Sequence, residues 1–193
     1  MKPYDELLPR ITLSKGPHAS PDTGMCVMEA AAYISGRKHS DAPGCVSASI
    51  RTACMNLNDS LATDEERNRY LSGLVFDVIG TAMPTPIITE VAGRYHAKQV
   101  QYSQYCMCLP VSNMCIRICI INRNIKRLNK QKSTLTEIQK KSIVQLGAVV
   151  EALARACVSC IRAAIAMHKD VHPSGMEFAR SPDTLPCLTP ATV

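Results

Sequence analysis

Apolar residues recur along this chain at intervals of three and four, the period of helices rather than of strands. Residues 23–35 hold Met-Cys-Val-Met-Glu-Ala-Ala-Ala-Tyr-Ile, an apolar helix with Asp22 as a capping candidate and Gly36 as a stop. Ser40-Asp41-Ala42-Pro43 joins a capping side chain to a first-turn proline. It predicts a helix from there to about residue 58, with Val46, Ile50, Cys54 and Leu57 on its buried stripe. Thr63-Asp64-Glu65-Glu66 is a capping box. The helix it opens should bury Tyr70, Leu71, Leu74, Val75 and Val78 and close near Gly80.

Pro84-Thr85-Pro86 is a connector, and a fourth helix is expected over 87–108, ending before Pro110. Residues 113–129 carry two patterns. Cys-Ile-Arg-Ile-Cys-Ile-Ile alternates like a strand, whereas Met114, Ile118, Ile121, Ile125 and Leu128 form a helical stripe. Helical surroundings favour the helix. A second capping box, Thr134-Leu135-Thr136-Glu137, starts a last helix that meets no proline before about residue 169. Leu146, Val149, Val150, Leu153, Cys157, Ile161 and Ala164 share one side of it, and Glu151–Arg155 is a favourable i,i+4 pair.

The expected fold is therefore all-α, with five to six helices in a bundle over residues 22–171 and one long C-terminal helix. Residues 1–21, with Pro3, Pro9, Pro17 and Pro21, form an irregular arm, and residues 172–193 a tail with four prolines. The last helix would be about 54 Å long, against a radius of gyration of about 16 Å for a domain of this size. It is expected either to break near Gly147 or to reach a partner chain, so homo-oligomerisation is expected.

Composition narrows the class. At 46% hydrophobic and 20% charged the chain has globular rather than disordered composition. No run of 18 wholly apolar residues and no apolar leader is visible, which predicts a cytoplasmic protein with no membrane span. In that setting the ten cysteines read as thiols, most of them packed in the core. Cys157 and Cys160 share a helix face, and Cys106, Cys108, Cys115 and Cys119 do not repeat the paired spacing of a zinc ribbon. Neither a metal nor a cofactor is called for.

Charge is lopsided. Residues 1–96 hold 9 Lys+Arg and 11 Asp+Glu, residues 97–193 hold 13 and 5. Between residues 117 and 141, Arg117, Arg123, Lys126, Arg127, Lys130, Lys132, Lys140 and Lys141 face only Glu137. Such a segment suits phosphate, nucleic acid or an acidic protein, or is simply a solvated face. On a helix, Arg94, Lys98 and Tyr102 stand at i, i+4 and i+8, two cations and a ring that suit a nucleotide. Tyrosines in a chain with no Trp and 2 Phe also serve as core aromatics.

His18 to Gly36, containing Cys-Val-Met-Glu-Ala, followed by Ser40-Asp41-Ala42-Pro43-Gly44-Cys45, resembles a family of uncharacterised actinobacterial and phage proteins. Segments of the form Cys-Val-Met-Glu-Ala and Ser-Asp-x-Pro-x-Cys recur in that family. Val78-Ile79-Gly80-Thr81 with Thr85-Pro86 is similar as well, so the resemblance spans about residues 18–100. It implies a bacterial or phage origin and a helical fold, and brings no activity with it.

Within that motif His18, Asp22, Cys26, Glu29, Asp41 and Cys45 are candidates to meet in space. They read as a zinc site, as a Cys26–His18 nucleophile pair at a helix N-terminus, or as structural caps and pins. Three functions follow. The first is a non-enzymatic binder that sequesters an anionic small molecule such as a nucleotide defence signal, using Arg94, Lys98, Tyr102, His18, Glu29, Ser40 and Asp41. The second is an interaction protein that docks an acidic host protein or nucleic acid through Arg117, Arg123, Lys126, Arg127 and Lys130. The third is a metal-dependent or Cys/His hydrolase. No phosphate-cradling glycine loop, zinc-protease helix or nucleophile elbow is present, and no catalytic residue is assigned.

Overall fold

A computed structural model describes residues 11–82, 97–130 and 135–171, with side chains for 11–82, 110–130 and 135–166. The expected Pro84-Thr85-Pro86 connector, the start of the fourth helix, residues 1–10 and the tail lie outside the described residues. The fold is all-α. Among the described residues the helices are α1 (Val27–Ile34), α2 (Ala48–Ser60), α3 (Asp64–Asp77), α4 (Ala97–Asn129) and α5 (Glu137–Val171), after a 3-10 turn at Pro21–Thr23.

The first helix starts later than expected. Met25 pairs with Leu13 in a single parallel bridge, where the Ser14 amide donates to the Met25 carbonyl at 2.9 Å. That pairing, with Gly24 at φ +123°, keeps residues 24–26 out of helical conformation. The cap is Cys26 rather than Asp22, its sulfur accepting from the Glu29 amide while Glu29 returns a bond to the Cys26 amide. The helix ends at Gly36, which has φ +67°.

The second helix also departs from expectation, starting at Ala48 instead of near Pro43. Ser40 Oγ does accept a local bond, from the Ala42 amide at 3.0 Å, but it closes a turn. The Cys45 carbonyl, needed for a helix, is taken by the amides of Gly80 and Ala82, and the Ser47 amide by Thr81 Oγ1. These tertiary bonds hold residues 45–47 out of helical conformation. The stripe Ile50, Cys54 and Leu57 is buried as expected, and Val46 is buried in the turn before it. Thr63 and Glu66 form their capping box on α3.

Pro110 does not end a helix. It lies inside the 33-residue α4, so the two elements expected over 87–108 and 113–129 are joined. Proline removes one amide from the ladder, yet Val111, Cys115 and Ile118 on the next turns are buried against the body. Residues 113–129 are helix, with Ile118 buried and Met114 and Ile121 packed on the core. Gly147 does not break α5 either, since the helix runs 35 residues through it.

One core joins all five helices. Met28 and Ala31 of α1, Ile50 and Leu57 of α2, Leu71 and Leu74 of α3, Ile118 of α4, and Cys157 and Ile161 of α5 are members. α4 and α5 pack on each other, and their short connection makes them antiparallel. α2 packs on α4, α1 on α3, and α3 on α5. Arg69 and Arg155 both reach Glu151, at 3.1 and 2.6 Å, across and along the α3–α5 contact. Five of the seven described cysteines, Cys26, Cys45, Cys54, Cys115 and Cys157, are buried.

Burial stops partway along the last two helices. From Cys119 to Lys130 and from Leu135 to Val149 no described side chain is buried. Asn122 donates to the Ser60 carbonyl at 3.1 Å and marks the edge of the body. The distal parts of α4 and α5 thus form a helical hairpin standing off the core, about 20 Å long from Val150 back to Glu137. α5 is, by length and composition, also apolar enough over Glu137–Ala166 to cross a membrane, unlike the expectation drawn from uninterrupted apolar runs. Its inner face, with Val150, Ala154, Cys157 and Ile161, is occupied by the body.

Candidate functional site

Two regions hold the residues singled out in the sequence. The first lies where the arm crosses α1. Glu29 is buried to 2% exposure and accepts from the amides of Cys26 and His18 at 2.7 and 2.9 Å. Its Oε2 also meets His18 Nδ1 at 2.8 Å, and its Oε1 stands 3.7 Å from His39 Nε2. His39 Nε2 donates to the His18 carbonyl at 2.9 Å. Burial raises the Glu29 carboxyl, but the amides of Cys26 and His18 and the His18 ring outweigh it, and the group titrates below its ordinary value.

The arm is held by more than this carboxylate. Asn68 of α3 grips both backbone groups of Leu13, accepting from its amide at 2.9 Å and donating to its carbonyl at 3.1 Å. Asn58 of α2 donates to the Ser14 carbonyl at 3.4 Å. Ser14 Oγ lies 2.9 Å from His18 Nε2. Gly24 is required beside them, because a Cβ there would sit 2.6 Å from Ser14 Oγ and 2.8 Å from the His18 ring.

Of the six candidates in the motif, His18, Cys26 and Glu29 meet. Asp22 and Asp41 are exposed, and Ser40 closes its own turn. Cys45 is buried with its sulfur 3.5 Å from Ser35 Oγ. Burial pushes the Cys26 thiol up to about 11, which removes the thiolate that the Cys26–His18 nucleophile pair requires. Among the described residues no group of three His, Cys, Asp or Glu is arranged to hold a metal ion. The sequence reading missed His39, Asn58, Asn68 and Ser14. Two carried a signal, since asparagine inside a helix is a poor former and points to a tertiary bond.

The second region is the hairpin. Arg117, Arg123, Lys126, Arg127, Lys130, Lys140 and Lys141 are all exposed there. Only Lys140 is paired with a carboxylate among the described residues, to Glu137 at 2.6 Å. Ile116, Ile120, Arg123, Arg127 and Lys130 fall at i, i+4, i+7, i+11 and i+14, one outward ridge of α4. Ile116 and Ile120 are 56% and 52% exposed, so the ridge is aliphatic near the body and cationic towards the tip. Of the tyrosine–cation set, α4 carries Lys98 and Tyr102 on its backbone. Their side chains and Arg94 lie outside the described residues.

The chain is thus an all-α protein whose described residues form a packed body of five helices and a basic helical hairpin. No family model, no curated protein and no solved structure matches it.

Proposed function

We propose that the protein binds polyanions non-enzymatically through the hairpin, with the phosphate backbone of a nucleic acid as the partner. The observation that carries this reading is the set of exposed cations between residues 117 and 141, where Glu137 is the one carboxylate among the described residues. Arg117 to Lys130 spans about 20 Å of helix, a length that suits several successive phosphates better than one nucleotide. Asn124, Asn129 and Gln145 are exposed among the cations, and such side chains commonly bond phosphate and sugar oxygens.

The exposed Ile116, Ile120, Ile138 and Val144 support a second reading, an acidic protein surface with an apolar centre. Sequestration of a single nucleotide, and self-association through α5, are the remaining forms of the same binding role.

Fluorescence anisotropy with labelled single-stranded DNA, duplex DNA and a cyclic dinucleotide tests the proposal over a salt series. Nucleic acid binding should weaken steeply with salt, with a log–log slope of about −3 to −4.5 if four or five phosphates are neutralised. Replacing Arg123 and Arg127 by Glu should weaken it by about tenfold or more at unchanged melting temperature. Tight, salt-insensitive binding of the dinucleotide would replace the proposal with sequestration. No binding of any of the three would turn it to an acidic protein.

A further inference from the structure

The arm crossing holds an arrangement that the binding role does not use. Glu29, as a carboxylate, offers only acceptors, so the His18 nitrogen 2.8 Å from it, Nδ1, carries the ring proton. Nε2 then presents a lone pair, and the Ser14 hydroxyl 2.9 Å away donates to it. Carboxylate, imidazole and hydroxyl stand in series, with the imidazole in the tautomer that accepts a proton from the serine. Such a constellation is recognised by geometry and roles, independently of fold or chain order.

Both ends are fixed in place. Ser14 is held through its amide by Met25 and through its carbonyl by Asn58, and His18 through its amide by Glu29 and its carbonyl by His39. Gly24 leaves the gap in which hydroxyl and ring meet. Ser14 is half-buried, Lys15 after it is exposed, and a Cβ at Gly16 would meet nothing within 4 Å. The amides of Lys15 and Gly16 make no hydrogen bond among the described residues. They follow Ser14 directly in the chain, and a free backbone amide next to the nucleophile is the kind of donor that a developing oxyanion uses.

We propose that Ser14 and His18 are catalytic residues, and Glu29 their positioning residue, in a site that hydrolyses carboxylic esters. Ser14 Oγ bonds to the acyl carbon as its proton passes to His18 Nε2. The C–O bond to the alcohol then breaks, and the proton returns from Nε2 to the leaving oxygen. Water attacks the acyl-serine through the same base, releasing the carboxylic acid and restoring the Ser14 hydroxyl. No co-reactant besides water is needed.

The test treats the full-length chain with a fluorophosphonate probe and maps the adduct by peptide mass spectrometry, alongside hydrolysis of p-nitrophenyl butyrate. The expected result is one adduct, on Ser14, and a fall in kcat/KM of at least about 100-fold in Ser14→Ala at unchanged melting temperature. In Glu29→Gln, kcat should fall while KM holds, which a purely structural role would not produce. Because His18 and Glu29 also anchor the arm, the adduct on the unmutated chain is the deciding readout. A folded chain that takes no probe, takes it elsewhere, or hydrolyses the ester equally well as Ser14→Ala overturns the proposal.

Discussion

The body and the hairpin are built from the same two long helices, yet different physics holds each. Within the body, α4 and α5 place Val111, Cys115, Ile118, Val150, Ala154, Cys157 and Ile161 at 4% exposure or less. Two to twelve residues beyond those buried ends on the same helices, Ile120, Val144 and Ile138 are 52%, 73% and 78% exposed. The body is held by burial and by buried polar side chains such as Glu29 and Arg67 that are hydrogen-bonded inside it. The hairpin has the mutual packing of two helices, helix propensity and the caps at Thr136 and Gln139. A surface presented this way is free to meet a partner, whereas the body is where a constellation such as Ser14–His18–Glu29 can be held rigid.

That contrast breaks most sharply with a core deletion. Ile118→Ala should cost about 3 to 4 kcal/mol and lower the melting temperature by roughly 10 °C, whereas Ile120→Ser, two residues on, should change stability by less than about 0.5 kcal/mol. Thermal scans of the two variants side by side check it, and equal losses would mean that the hairpin face is covered.

Arg67 comes next. It is 2% exposed, and its guanidinium donates to the carbonyls of Asn58 and Leu61 and to Asp64 Oδ1 at 2.6 Å, sealing the end of α2 to the start of α3. Arg67→Met leaves two buried carbonyls unpaired and should cost about 3 kcal/mol. Chemical denaturation with an unchanged m-value is the check, and no comparable loss is expected for Arg127→Met in the hairpin.

Acid separates the regions by a smaller amount. The folded Glu29 carboxyl titrates below its ordinary value of about 4.5. Its contribution is therefore complete above that pH, and is lost as the pH falls through the lower, folded value. Melting temperature should drop with acid below about pH 4.5, and Glu29→Gln should flatten part of that slope. The hairpin contributes one carboxylate, Glu137, so its charge-reversal variants should leave the slope of the body unchanged.

Gly147 gives the smallest effect and the only gain. It is exposed, mid-helix and has nothing within 4 Å of a Cβ, so Gly147→Ala should stabilise α5 by about 0.5 to 1 kcal/mol. If amide exchange then slows in residues 137–149 and not in α1–α3, the hairpin opens as a unit separate from the body.

Much of this architecture was legible beforehand. The Thr63–Glu66 box marked the start of α3, because a cap is a bond between neighbours in sequence. The stripes of α2 and α3 lay largely where the period put them, and that of α5 did so from Val150 to Ala164, whereas Val149 is 46% exposed; residues 113–129 proved helical despite their alternation. Signals that invoked an absent tertiary partner failed. Ser40-Asp41-Ala42-Pro43 has every local mark of a helix start, and bonds from Gly80, Thr81 and Ala82, more than thirty residues away, overrule it. Pro110 has every mark of a stop, and burial of Val111, Cys115 and Ile118 carries the helix past it.

The same division runs through the candidate sites. The cations of the hairpin were visible because they are consecutive in sequence. Their isolation on a projecting element was not, since exposure depends on where the core ends. His18 and Glu29 were singled out, but Ser14, His39, Asn58 and Asn68 were not, as their bonds cross 4 to 55 positions and leave no local pattern. By itself the sequence determined the helical class, most helix faces and the placement of charge, all of which depend on interactions within a few residues. Only the tertiary structure decided which helices continue, where burial stops and which polar groups converge, because those outcomes rest on contacts between segments far apart in the chain.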